Sequence, residues 1–124
     1  MEVKTQYDKR DNPIISLTFD FSLQVVELTE KMSENRQYNL SNQLFRSGTS
    51  IGANVREAQN AESKADFIHK MKIAMKEVEE TEYWLQLSMK SKNYPNTEKE
   101  LEQLFSIRKV LSKIIYTSKS NKTK

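Results

Sequence analysis

A single imidazole limits the chemistry open to this chain. His69 is its only histidine, and cysteine is absent. Glu62, Asp66 and His69 recur at helical spacing, so they share one helix face. Carboxylates beside an imidazole are metal ligands, but one helix offering one imidazole falls short of the ligands and supporting shell a site needs. The plainer reading has Asp66 capping a helix and His69 in solvent. No metal and no cofactor are expected. Glu77, Glu79, Glu80 and Glu82 are the raw material of a di-iron bundle, yet such bundles take a Glu-x-x-His pair from each of two helices. One histidine cannot supply both. These glutamates therefore read as a charged outer face with lysine partners, including an i, i+4 stack of Lys72, Lys76 and Glu80. A serine nucleophile would lack a base and a strand-to-helix elbow, and there is no glycine-rich phosphate loop. The expectation is a protein that is not an enzyme.

Cationic groups offer more. Arg56 falls near the end of a second helical segment, and Lys64, Lys70, Lys72 and Lys76 fall in the first half of a third. A short joint would bring them to one end of a bundle, where they can meet phosphates. Interspersed lysine is also ordinary on a solvated helix. Tyr83, Trp84 and Tyr94 are rings on which bases stack, and such rings equally fill cores and subunit contacts. Tyr83 and Trp84 are adjacent and point ~100° apart, so one of them packs outside the seam. The formal net charge is +3. It resides wholly in the tail "SKSNKTK", with Lys119, Lys122 and Lys124, and the rest of the chain is balanced. Such a tail reads as a frayed, solubilising end or as an arm that gains counterion-release energy on a polyanion.

The elements that would position these groups are helical. The chain has 124 residues, with two glycines and two prolines. That suits one domain and leaves too few turn formers for an all-β fold. No apolar run approaches the ~20 residues of a membrane span, and "MEVKTQYDKRDNP" has no signal-peptide character. A soluble cytoplasmic protein with no membrane partner is the expectation. Residues 1–16 read as an extended lead-in, because Pro13 restricts its neighbours. Residues 17–118 read as the bundle. Phe21, Val25, Leu28 and Met32 mark one helix over about 18–34, capped by Thr18 or Asp20. Ser63 and Asp66 form a capping box that opens a helix over about 63–92, with Phe67, Met71, Ala74, Val78, Thr81 and Leu85 in its seam. Thr97 and Glu100 form another box before a helix over about 97–117, carrying Leu104, Ile107, Leu111 and Ile114. Residues 119–124 read as a basic flexible tail. The fold class is all-α, an antiparallel up-and-down four-helix bundle.

The remaining helix, over about 39–59, is built from poor helix formers. "RSGTSIGANVRE" keeps seam spacing through Leu44, Gly48, Ile51, Val55 and Ala58, yet each glycine costs ~1 kcal/mol against alanine. Packing must recover that loss. Gly48 and Gly52 lie on one side of the helix, and small side chains let a neighbouring helix come close. The sequence predicts a helix clamped by its own bundle and by another subunit.

The run from Asn42 to Leu85, "NQLFRSGTSIGANVREAQNAESKADFIHKMKIAMKEVEETEYWL", resembles the bacterial four-helix bundle protein family, whose members are also described as proteins encoded in the intervening sequence of 23S ribosomal RNA genes. The resemblance rests on an Arg-Ser-x-x-Ser-Ile-x-x-Asn pattern at Arg46, Ser47, Ser50, Ile51 and Asn54. It continues through Glu57, Phe67, Ile73, Ala74 and Glu80, and "NPIISLTFDFSLQVVEL" is similar to the family's first helix. The resemblance implies a bundle assembled as a ring-like homopentamer, with Arg46, Ser47, Ser50, Gly52, Asn54, Glu57 and Trp84 at its subunit contacts. In that arrangement Ser47, Ser50 and Asn54 must find hydrogen-bond partners, and Arg46 and Glu57 form ion pairs within or across subunits. A related group, the accessory proteins of diversity-generating retroelements, implies binding of nucleic acid; those proteins are strongly basic, whereas the body of this chain is neutral. Two functions follow as expectations. One is a nucleic-acid-associated protein that binds RNA or DNA through Arg56, Lys64, Lys70, Lys72, Lys76, Lys119 and Lys122. The other is a scaffold that presents a repeated docking face to a partner protein.

Overall fold

The computed structural model describes residues 12–120. These form four helices, α1 (Pro13–Glu34), α2 (Tyr38–Ala58), α3 (Lys64–Lys90) and α4 (Glu98–Ser120), and no strand. Each helix packs on the next, and α4 closes against α1. The pairings run antiparallel. Gly48 lies against Val25 while Gly52, a turn later, lies against Thr18, a step earlier in α1. Inside sit Phe21, Val25 and Met32 of α1, Leu44, Ile51 and Val55 of α2, Met71, Val78 and Leu85 of α3, and Leu104, Ile107 and Leu111 of α4. These are the seam positions the spacing predicts, and each large side chain contributes ~1.5–3 kcal/mol by leaving water.

Several helix ends depart from expectation. α1 starts at Pro13 rather than near residue 18, so Ile14 and Ile15 are helical and buried instead of extended. Proline suits this place, since its missing N–H is unused in a first turn. Thr18 is no cap. It is buried, and its hydroxyl donates to the Ile14 carbonyl. The rest of the expected lead-in, residues 1–11, lies outside the described residues. At α3 the expected cap holds: Ser63 Oγ accepts from the Asp66 N–H at 3.0 Å, and Asp66 Oδ2 accepts from the Glu62 N–H at 3.2 Å. At α4 it does not. Thr97 is fully buried and donates to the Leu85 carbonyl at 2.7 Å, tying α4 to α3, while Asn96 Oδ1 accepts the Glu98 N–H. α4 also runs on to Ser120, so Lys119 belongs to the helix rather than to a flexible tail. Lys122 and Lys124 lie outside the described residues. Two joints use left-handed backbone without glycine, at Arg36 (φ 62°) and Asn93 (φ 71°).

Candidate functional site

The weak helix formers of α2 are satisfied within the chain. Thr49 Oγ1 donates to the Phe45 carbonyl, Ser50 Oγ to the Arg46 carbonyl and Asn54 Nδ2 to the Ser50 carbonyl, each one turn back. Short polar side chains take this route when they sit inside a helix. Ser47 is fully buried and accepts from Thr81 Oγ1 at 2.9 Å. A Cβ on Gly48 would stand 2.8 Å from Val25 Cγ2, and one on Gly52 would stand 3.4 Å from Ser22 Oγ, the Thr18 carbonyl and Thr18 Oγ1. Both glycines therefore serve the approach of α1. Ser47, expected at a subunit contact, is fully buried against α3 of the same chain, and Gly52 packs on α1 while also flooring an open groove between the two helices.

The four glutamates of α3 have arginine partners, not lysines. Arg46 reaches Glu77 at 3.4 Å and also binds Glu80. Arg108 binds Glu79, and Glu82 at 2.6 Å. Glu80 further accepts from Trp84 Nε1 at 3.0 Å, so the expected stack with Lys72 and Lys76 is replaced. The Arg46 hydrogen bond, seconded by that of Trp84, holds the Glu80 carboxyl below the usual range, and the Glu80 bond holds the Arg46 guanidinium above its own. Glu57 pairs with Lys70 at 3.7 Å. These pairs all form within one chain. Trp84 is half-buried and meets Tyr83 edge to face at 5.1 Å.

Arg56, Lys64 and Lys70 lie near the α2–α3 joint, whereas Lys72 and Lys76 lie about two and three turns into α3, and the group does not share one face. Arg56 stands over the Phe19 ring at 5.4 Å, on the α1 side. Lys70 turns to Glu57 of α2. Lys72 is two residues on and so points the other way. It is exposed, as are Lys76 and Lys64. His69 is exposed, and among the described residues no group of three or more His, Cys, Asp or Glu could hold a metal ion. Nor, among them, is any helix long and apolar enough to cross a membrane.

Two surfaces escaped the sequence reading. The first is apolar. Phe19, Leu23 and Val26 of α1 and Phe45 of α2 are all exposed, beside a groove of ≈ 230 Å³ floored by Gly52 and flanked by Thr49 and Arg56. Phe19, Leu23 and Val26 follow at i, i+4 and i+7, a second apolar stripe that the seam pattern overshadowed. The second lies on the outer side of α3 and α4, where Lys109, Lys113, Phe105 and Tyr116 are exposed along with Lys72 and Lys76. No spacing within one helix reveals it, because it is made by pairing two.

A family model described as 23S rRNA-intervening sequence protein matches residues 10–117. The chain belongs to that family. Its fold matches a crystal structure of a protein of unknown function from the S23 ribosomal protein family of Bacteroides thetaiotaomicron VPI-5482. The two are 40% identical with a TM-score of 0.78, over 82% of this chain and 97% of that one. No curated protein matches the chain. The family match spans all four helices, so the α2 pattern and the arginine pairs both lie within the shared region.

Proposed function

We propose that the protein is a non-enzymatic helical bundle that associates with copies of itself and binds RNA or DNA in the cytoplasm. The observation that carries this reading is a division of the surface. Arg46 and Arg108 occupy the glutamates of α3, so the lysines of the outer α3/α4 side are left for an external anion. The exposed apolar residues Phe19, Leu23, Val26 and Phe45 lie elsewhere, on the α1/α2 side. Apolar clusters of this kind mark protein contacts. Copies meeting there would leave the lysines of each copy facing outward, in the ring of five that the family resemblance implies. Of the residues assigned to subunit contacts from sequence, Ser50, Asn54 and Glu57 lie on the other flank of α2, beside Arg46 and Trp84.

The test pairs a mass with a titration. Sedimentation velocity should give an oligomer. Labelled structured RNA and duplex DNA, titrated at low and near-physiological salt, should bind with an affinity that falls as salt rises. A single-copy mass would overturn the self-association, and absence of binding at low salt would overturn the nucleic-acid role. In the latter case the docking scaffold is favoured by the groove of ≈ 490 Å³ lined by Asn39, Leu40, Gln43, Trp84, Leu87 and Tyr94, whose mix of amides and rings suits a peptide.

A further inference from the structure

We infer that the outer α3/α4 face takes single-stranded nucleic acid in preference to duplex; this rests on the nucleic-acid reading above and narrows it. Register comes from Arg108, which reaches both Glu79 and Glu82. The two helices run antiparallel, so equal numbers of turns from that ion pair bring residues level. One turn toward the α3–α4 joint are Tyr83 and Phe105. One turn the other way are Lys76 and Ser112, and two turns away are Lys72 and Tyr116. All are on the outward half of their helices, because Met71, Val78, Leu85, Leu104, Ile107 and Leu111 take the inward half. Three rings thus bracket a lysine stretch. They are open to solvent, with Tyr83 57%, Phe105 58% and Tyr116 73% exposed.

The charges around them fit the same partner. Lys109 Nζ already stands 5.0 Å from the centre of the Phe105 ring. Lys72, Lys76 and Lys113 are exposed and make no ion pair among the described residues. The nearby carboxylates of α3 are occupied by Arg46 and Arg108, and Glu98 and Glu102 bound the face at the start of α4. Rings set beside cations are what a strand of unpaired bases and phosphates requires, because every base has a stacking face. A duplex keeps those faces inside its own stack and meets such a surface only through its backbone. From Phe105 to Tyr116 the helix rises ~16 Å at 1.5 Å per residue, room for about five stacked nucleotides at 3.4 Å each.

The test is fluorescence anisotropy with one labelled mixed-sequence RNA twelve-mer, used single-stranded and annealed to its complement, on the full chain. The single strand should bind ~10-fold or more tighter. Its log affinity should fall against log salt with a slope of about −2 to −3, as expected for three to four phosphates. Phe105→Leu and Tyr116→Leu should each weaken the single strand ~10-fold and leave the duplex unchanged. Lys72→Gln and Lys76→Gln should weaken both. The replaced side chains are exposed, and a circular dichroism melt matching the wild type confirms the fold. Equal affinity for strand and duplex, with neutral aromatic variants, overturns this inference and leaves the nucleic-acid reading standing. No binding of either overturns both.

Discussion

Gly48 and Gly52 show how two identical residues one turn apart come to bear different loads. A methyl at Gly48 would drive into Val25, whose β-branched side chain has little room to rotate. A methyl at Gly52 would meet Thr18 and Ser22 at ordinary contact distance. Both changes gain ~1 kcal/mol of helix propensity, but overpacking a core costs ~1–3 kcal/mol. Gly48→Ala is therefore expected to lower the urea midpoint, and Gly52→Ala to hold or raise it. The reverse order would show that Thr18 and Ser22, not Val25, set the approach. The ion pair of Arg46 and Glu80 makes a second residue-level prediction. Glu80 holds its proton less tightly folded than unfolded, so the unfolded chain binds more protons in acid and stability rises with pH there. Its contribution is present above the ordinary glutamate range and lost as pH falls through the lowered folded value. The Arg46 side chain is 50% exposed, which limits the gain to ~1 kcal/mol or less. Glu80→Gln should melt below wild type at pH 7, and the two curves should converge in acid. A gap that persists at low pH would assign the effect to packing or to Trp84 instead of charge.

At the scale of the elements, the interior was legible and the ends only in part. The seam residues follow helical spacing because the core selects them, and all four helices were found from that signal. Capping is a weaker guide, because a hydroxyl near a helix start has more than one use. Ser63 is exposed and serves its own helix, while Thr97 is buried and serves the neighbouring one. The two threonine and serine signatures look alike in one dimension and differ only by burial. The same limit hid the partners of the α3 glutamates. Spacing within α3 suggested Lys72 and Lys76, whereas the actual partners come from α2 and α4, which no pattern within one helix reports. Thr97 tests this distinction. Thr97→Val keeps the shape but removes the hydrogen bond to the Leu85 carbonyl, at a cost of ~0.5–1.5 kcal/mol. Thr97→Ser keeps the donor and should cost less. If valine and serine melted alike, the hydroxyl would not be the link between α3 and α4.

The whole molecule turns on what covers the α1/α2 side. Gly48 and Gly52 draw α1 and α2 together, and with the small side chains of Ser22, Thr49 and Ala53 they leave a groove between Phe19 and Arg56. An isolated bundle gains little from four large apolar residues held half in water, whereas each such residue contributes ~1.5–3 kcal/mol when fully buried. Subunit contacts concentrate their energy in a few aromatic anchors of this type. Phe45→Ser combined with Leu23→Ser removes two anchors without touching the core, since both side chains are exposed in the single chain. The double variant is expected to sediment as single copies at concentrations where the wild type is oligomeric, with an unchanged helical spectrum. Its nucleic-acid affinity should drop as well, because an oligomer presents several lysine faces at once and raises the effective concentration of each. A variant that stays oligomeric would move the contact to the opposite flank of α2, around Ser50, Asn54 and Glu57, where the sequence first placed it. A variant that becomes single-copy yet binds a long RNA as tightly as before would separate the two properties. It would show that one α3/α4 face is enough.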